Sequence, residues 1–141
     1  MRVIVIVKAS KESEQGMLPP REMLQTMGKF NEELASAGVL LAADGLTPSS
    51  KGKRVRFDGA KKTVIDGPFA ETKELLAGFW IWKVKSMDEA VEWLKKAPFG
   101  GGMEIEIRPI SELKDFGDIV TPEMHESQKR IVERMRQNAT R

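Results

Sequence analysis

Asp66-Gly67-Pro68-Phe69-Ala70-Glu71-Thr72-Lys73 is the densest run of chemistry-bearing side chains in this protein. Two carboxylates, a hydroxyl, a lysine and an aromatic ring follow a sharp-turn signal and lead into the apolar segment Leu75 to Trp82. Asp66 is the candidate general base or substrate anchor, with Glu71 or Lys73 adjusting its charge. Lys73 precedes Leu75-Leu76, and partial desolvation there would sharpen its attraction for an anion. Thr72 and Glu71 would present a hydroxyl and a charge to the same cavity, and Phe69 would wall it. Each residue also has a purely structural reading. Asp66 can accept from amides two or three residues on, as in an Asx turn. Phe69 can plug the core, and Glu71 and Glu74 can lie in a solvated loop. For Asp66 the turn role stands first, because Asp-Gly-Pro is a turn signal in its own right, and the two roles are compatible.

The remaining inventory narrows the chemistry. Cysteine and tyrosine are absent, and the single histidine, His125, lies near the C-terminus among exposed-type neighbours. A Cys-ligated zinc site is therefore impossible, and a histidine-based metal site or triad is not expected. Neither a metal nor a cofactor is anticipated. Glu104, Glu106 and Arg108 alternate along the last strand, where they either line a polar cavity or pair at a wet rim. Gly100-Gly101-Gly102 lacks the flanking pattern of a phosphate loop and reads as a flexible turn. Net charge is +2, and residues 121–141 carry the whole excess, with five Lys/Arg against three Glu. A neutral body argues against a direct nucleic-acid surface, which needs a clustered basic face. No apolar run is long enough to span a membrane, Met1 to Lys8 shows no signal-peptide pattern, and a cytoplasmic location is the default expectation.

The elements that must hold these residues follow from periodicity. Arg2 to Lys8 is a strand, β-branched on both faces. Residues 10–18 read as a loop. Pro19-Pro20 opens a helix whose stripe is Met23, Met27, Phe30, Leu34 and Ala37, ended by Gly38. Val39 to Ala43 is a second strand and Asp44 to Gly52 a connection. Lys53 to Asp58 and Lys61 to Ile65 form a hairpin around Asp58-Gly59. Gly78 to Lys85 is a strand, and Ser86 with Glu89 caps the helix behind it. Met103 to Arg108 is the last strand. Without the hairpin the order is strand–helix–strand twice, the ferredoxin-like α+β plan of one antiparallel sheet with two helices on one face. The domain is placed at residues 1–118, and residues 119–141 form a helical tail with Thr121 as cap and Pro122 at the first position. Trp80, Trp82 and Val84 point one way from their strand, and Phe79 and Ile81 the other. One apolar side of the sheet packs on the helices. The other, taken to be the tryptophan-bearing side, calls for a second copy of the sheet, a homodimer through facing sheets.

The run DGPFAETKELLAGFWIW (66–82) resembles the hallmark of the YCII-related family in its DGPF-motif branch. FNEELASAGVLLAADGL (30–46), SMDEAVEWLKKAP (86–98) and MEIEIRPI (103–110) extend the likeness over about residues 1–113. The resemblance implies a ferredoxin-like subunit and a dimeric α/β-barrel assembly. It implies less about activity. A distant relative is a dehydrochlorinase, and some DGPF members lie near or are fused to extracytoplasmic-function sigma factors. The founding branch's proposed active site pairs a first-helix histidine with an aspartate; here Met27 falls near that place, so a histidine mechanism does not carry over. Two functions follow as expectations. One is a small-molecule-binding protein, an enzyme if Asp66 is a base and Lys73 holds an anionic substrate. The other is an interaction protein for transcription initiation, with a sigma factor as partner and the tail helix as docking surface.

Overall fold

The β-branched run Val3 to Val7 forms β1 (Arg2–Lys8), an inner strand of a four-stranded antiparallel sheet. The computed structural model describes residues 1–141. β2 (Leu40–Gly45), β5 (Leu76–Lys83), β1 and β6 (Glu106–Pro109) lie side by side in that order. This is the split βαβ arrangement of the ferredoxin-like plan. Residues 10–18, read as loop, contain one helical turn, α1 (Lys11–Glu14), because Ser10 and Ser13 cap each other reciprocally. The crossover helices are α2 (Arg21–Ser36) and α3 (Met87–Lys95). Ser86 Oγ accepts from the Glu89 amide at 3.1 Å and fixes the start of α3.

Register decides which face is covered. Val3 stands opposite Trp82, and Val5 opposite Trp80. Directly opposed residues of an antiparallel pair share a face. That face packs on the helices: Val3, Val5, Trp80, Trp82 and Val84 are buried together with Phe30 and Leu34 of α2 and Ala90 of α3. The Phe30 ring meets Trp80 edge-on at 5.9 Å and Trp82 at 6.3 Å. Burying each such side chain contributes about 1.5–3 kcal/mol. The expectation that the tryptophan side is the open one is therefore corrected: the chain's own helices shield the indoles. The open side is the other row, Ile4 beside Ile81 and Ile6 beside Phe79, all half-buried at the sheet centre. Glu106 and Arg108 share this face at its β6 edge, 3.7 Å apart. Burial has one orphan, since Trp82 Nε1 is enclosed without a hydrogen-bond partner.

β3 (Lys53–Asp58) and β4 (Lys61–Asp66) form a separate two-stranded ribbon, turned by Gly59 at φ +60°. Val55, Val64 and Phe57 remain exposed on it, Phe57 by 71%. Residues Met1–Ile110 form one compact unit and Ser111–Arg141 another. The second unit holds α4 (Pro122–Ala139), where Thr121 Oγ1 accepts from the Met124 amide at 3.2 Å. Met124, Ile131, Val132 and Met135 are exposed along it. No helix is long and apolar enough to cross a membrane.

Candidate functional site

The Asp66 motif is a structural node. Asp66 ends β4 and pairs with Lys53 across the base of the hairpin, the two side chains being 74% and 67% exposed. The Gly67 amide donates to Gly52 O at 3.0 Å. A Cβ on Gly67 would lie 1.7 Å from Ser49 O, so only glycine lets the chain pass this close to residues 49–52. The Phe69 amide donates to Ser49 Oγ at 3.1 Å. Ser49 in turn donates through its hydroxyl to Glu14 Oε1, and through its amide to Glu14 Oε2 at 2.9 Å. The Arg54 guanidinium stacks over the Phe69 ring at 3.9 Å. Hydrogen bonds and stacking thus tie the motif to the hairpin, to the turn at 49–51 and to α1.

Three of the other expected site residues stay side by side. Thr72 and Lys73 lie in a short 3₁₀ turn, Thr72–Glu74, with Glu71 immediately before it. Lys73 lines an open cleft of about 700 Å³ with Lys8, Glu104 and Glu106, and Asp66 is not among its walls. Two lysines face two glutamates there, so the cleft has no charge preference for an anion. No group of three His, Cys, Asp or Glu side chains converges as a metal site.

A smaller cleft of about 240 Å³ opens between α2 and the β2–β5 edge of the sheet. Its origin lies in the register. One row across the helix-facing side reads Ala43, Trp80, Val5; the next reads Gly45, Gly78, Val7. Two opposed glycines leave a gap where the neighbouring row carries an indole. The strands also crowd together here, since a Cβ on Gly78 would lie 3.0 Å from Asp44 O. Met27 and Asn31, one turn apart on α2, cover the gap, and Trp80 and Phe99 meet edge-on at 5.8 Å beside it. Trp80 Nε1 donates to Asn31 Oδ1 at 2.8 Å. Asp44 and Phe79 also edge the cleft, but strand alternation turns their side chains to the opposite face. The helix-side walls therefore carry no ionisable group.

None of Asn31, Gly45 or Gly78 stood out in the sequence. Two signals were present. Asn31 follows Met27 by four residues, placing a polar amide beside the apolar stripe of α2. Gly78 lies inside β5 and Gly45 ends β2, and a glycine within a strand marks a bulge or a close approach.

Residues 1–114 match the family model described as YCII-related domain. An uncharacterized protein of Rhizobium meliloti (strain 1021) is 32% identical over 109 residues, spanning 74% of this chain and 82% of that protein. Among solved structures, 5-chloro-2-hydroxyhydroquinone dehydrochlorinase of Burkholderia phenoliruptrix AC1100, complexed with 2,5-dihydroxybenzoquinone, aligns with a TM-score of 0.46 at 14% identity, over 82% of this chain and 98% of that one.

Proposed function

The chain belongs to the YCII-related family, and from that premise we propose that it is a homodimeric protein that binds a small organic molecule in the cleft between α2 and the β2–β5 edge. The observation that carries this reading is the glycine-floored gap itself. An open cleft of about 240 Å³ walled by Trp80, Phe99 and Met27 is a concave, mainly apolar site with one convergent amide. It falls just below the usual range of ligand-pocket volumes, so the occupant is a small molecule of about one ring. The row Ile4, Ile6, Phe79 and Ile81 supports the dimer, since a second copy stacked on it would bury an apolar sheet centre. In this reading Asp66 acts as a turn and ion-pair residue, because its carboxylate is open to water and held by Lys53. The rival docking role would rest on the exposed stripe of α4, and the cleft is the reason to prefer a ligand.

The test is a titration of the full chain with ethylbenzene, read by amide chemical shifts. Shifts are expected at Asn31, Gly45 and Gly78. The Gly45→Val variant fills the gap, and the nearest atom to a Cβ there is 3.9 Å away, which leaves room for the fold. It is expected to abolish the shifts. Equal binding by the variant would show that the ligand sits elsewhere.

A further inference from the structure

Asn31 is a polar group with one of its four hydrogen-bonding positions assigned. An indole N–H only donates, so the side-chain atom of Asn31 facing Trp80 Nε1 is the carbonyl oxygen. That contact fixes the amide plane and leaves Nδ2, with two donors, on the other side. No intramolecular acceptor takes Nδ2, and it is not among the enclosed unpartnered atoms, which comprise Trp82 Nε1 alone. Asn31 lines the cleft, so its open donors stand at a wall whose other side chains are Met27, Val7, Ala43, Trp80 and Phe99. The order of preference among ligands follows. A charged group in this cleft would lose hydration against walls that hold no counter-charge. A purely apolar ligand would displace water from Nδ2 and leave the donor unmatched. A neutral ligand with an oxygen acceptor satisfies both walls and donor.

Resting on the reading of the cleft as the binding site, we infer that the protein selects an uncharged molecule bearing a carbonyl-type oxygen, which accepts from Asn31 Nδ2 while its apolar part lies on the Gly45–Gly78 floor. Asn31 is the specificity-determining residue. Trp80 is its positioning residue, because the indole N–H decides which end of the amide faces the ligand.

The experiment compares acetophenone, ethylbenzene and benzoate on the full chain, read by the Asn31 side-chain NH₂ and Trp80 indole N–H resonances together with the cleft amides. Acetophenone is expected to bind about tenfold more tightly than ethylbenzene, the worth of one hydrogen bond at the upper end of its usual range, and to move the Asn31 NH₂ resonance. Benzoate is expected to bind most weakly. Asn31→Asp at pH 8 keeps the acceptor for Trp80 and removes the donors, so it should bring acetophenone down to the affinity of ethylbenzene or below while the indole resonance stays bonded. If the variant fails to fold, the wild-type ranking and the NH₂ shift decide alone. Equal binding of acetophenone and ethylbenzene with a still Asn31 resonance overturns the inference and leaves the cleft reading standing. Preferential binding of benzoate overturns it too. Silence of all cleft resonances to every probe overturns both.

Discussion

Replacing Gly67 by alanine should be among the most damaging single-methyl additions this chain can suffer. Gly67 does not use a left-handed conformation, so its dihedral angles alone would admit alanine. The obstacle is distance. The new Cβ would stand 1.7 Å from Ser49 O and 2.7 Å from Ser49 C, both backbone atoms that no rotamer change can move. Relief requires residues 66–69 to withdraw from residues 49–52. The Gly67-to-Gly52 bond and the Phe69-to-Ser49 bond go with that movement. Each lost bond costs about 1 kcal/mol, and overpacking adds about 1–3 kcal/mol, so a loss of about 3–5 kcal/mol is expected. At roughly 3–6 °C per kcal/mol for a chain of this size, the melting temperature should fall by more than about 10 °C. The control is Gly59→Ala at the hairpin tip. There φ is +60° and no atom lies within 4 Å of the added Cβ, so only left-handed strain acts, about 1–2 kcal/mol. Thermal unfolding followed by circular dichroism reads both variants. If Gly67→Ala melts no lower than Gly59→Ala, the motif is not held by close approach and its description as a structural node fails.

Three further outcomes follow from the same geometry. Asp66→Asn removes an exposed ion pair worth no more than about 1 kcal/mol, so it should shift the melting temperature by only a few degrees and leave probe binding at the cleft intact; loss of binding would restore Asp66 as a site residue. Trp80→Phe should destabilise more than Trp82→Phe in urea unfolding, although Trp82 is the more buried, because the first abandons the bond to Asn31 and the second deletes a donor that has no partner; the reverse order would refute this. Phe79→Asp on the open sheet face should turn a particle of twice 15.8 kDa into one of 15.8 kDa by light scattering, and an unchanged mass in both proteins would exclude this face as the interface.

The layout of strands and helices was legible because each element obeys its own period: β1 is β-branched throughout, the α2 stripe follows 3.6, and Ser86 and Thr121 mark starts. The choice of open face was not legible. Val3 and Ile4, or Trp80 and Ile81, are equally apolar neighbours, and only the position of Phe30 and Leu34 above the sheet separates them. The size of the indoles suggested surplus apolar area, whereas their bulk fills the space under α2. The proposed cleft was hidden for a related reason. Charged residues advertise themselves in a sequence, and Asp66 to Lys73 is rich in them. A cleft made by missing side chains at Gly45 and Gly78 has no such advertisement, since the two glycines lie 33 positions apart and become neighbours only through β2–β5 pairing. The motif's Gly67, by contrast, was visible, but its reason needed the carbonyl of Ser49.

The glycine floor also sets how the proposed binding place can change over generations. A wall made of side chains can be trimmed or enlarged in small steps, one methylene at a time. A floor of bare main chain is already at its lower limit, and every replacement at Gly45 or Gly78 subtracts room. New preferences must therefore enter through the surrounding side chains, such as those at α2 positions 27 and 31, where a change at 31 also alters the bond to Trp80. On the proposed reading, descendants of this chain would differ in what they hold by such wall positions, with the paired glycines kept as the shared inheritance that leaves the space open.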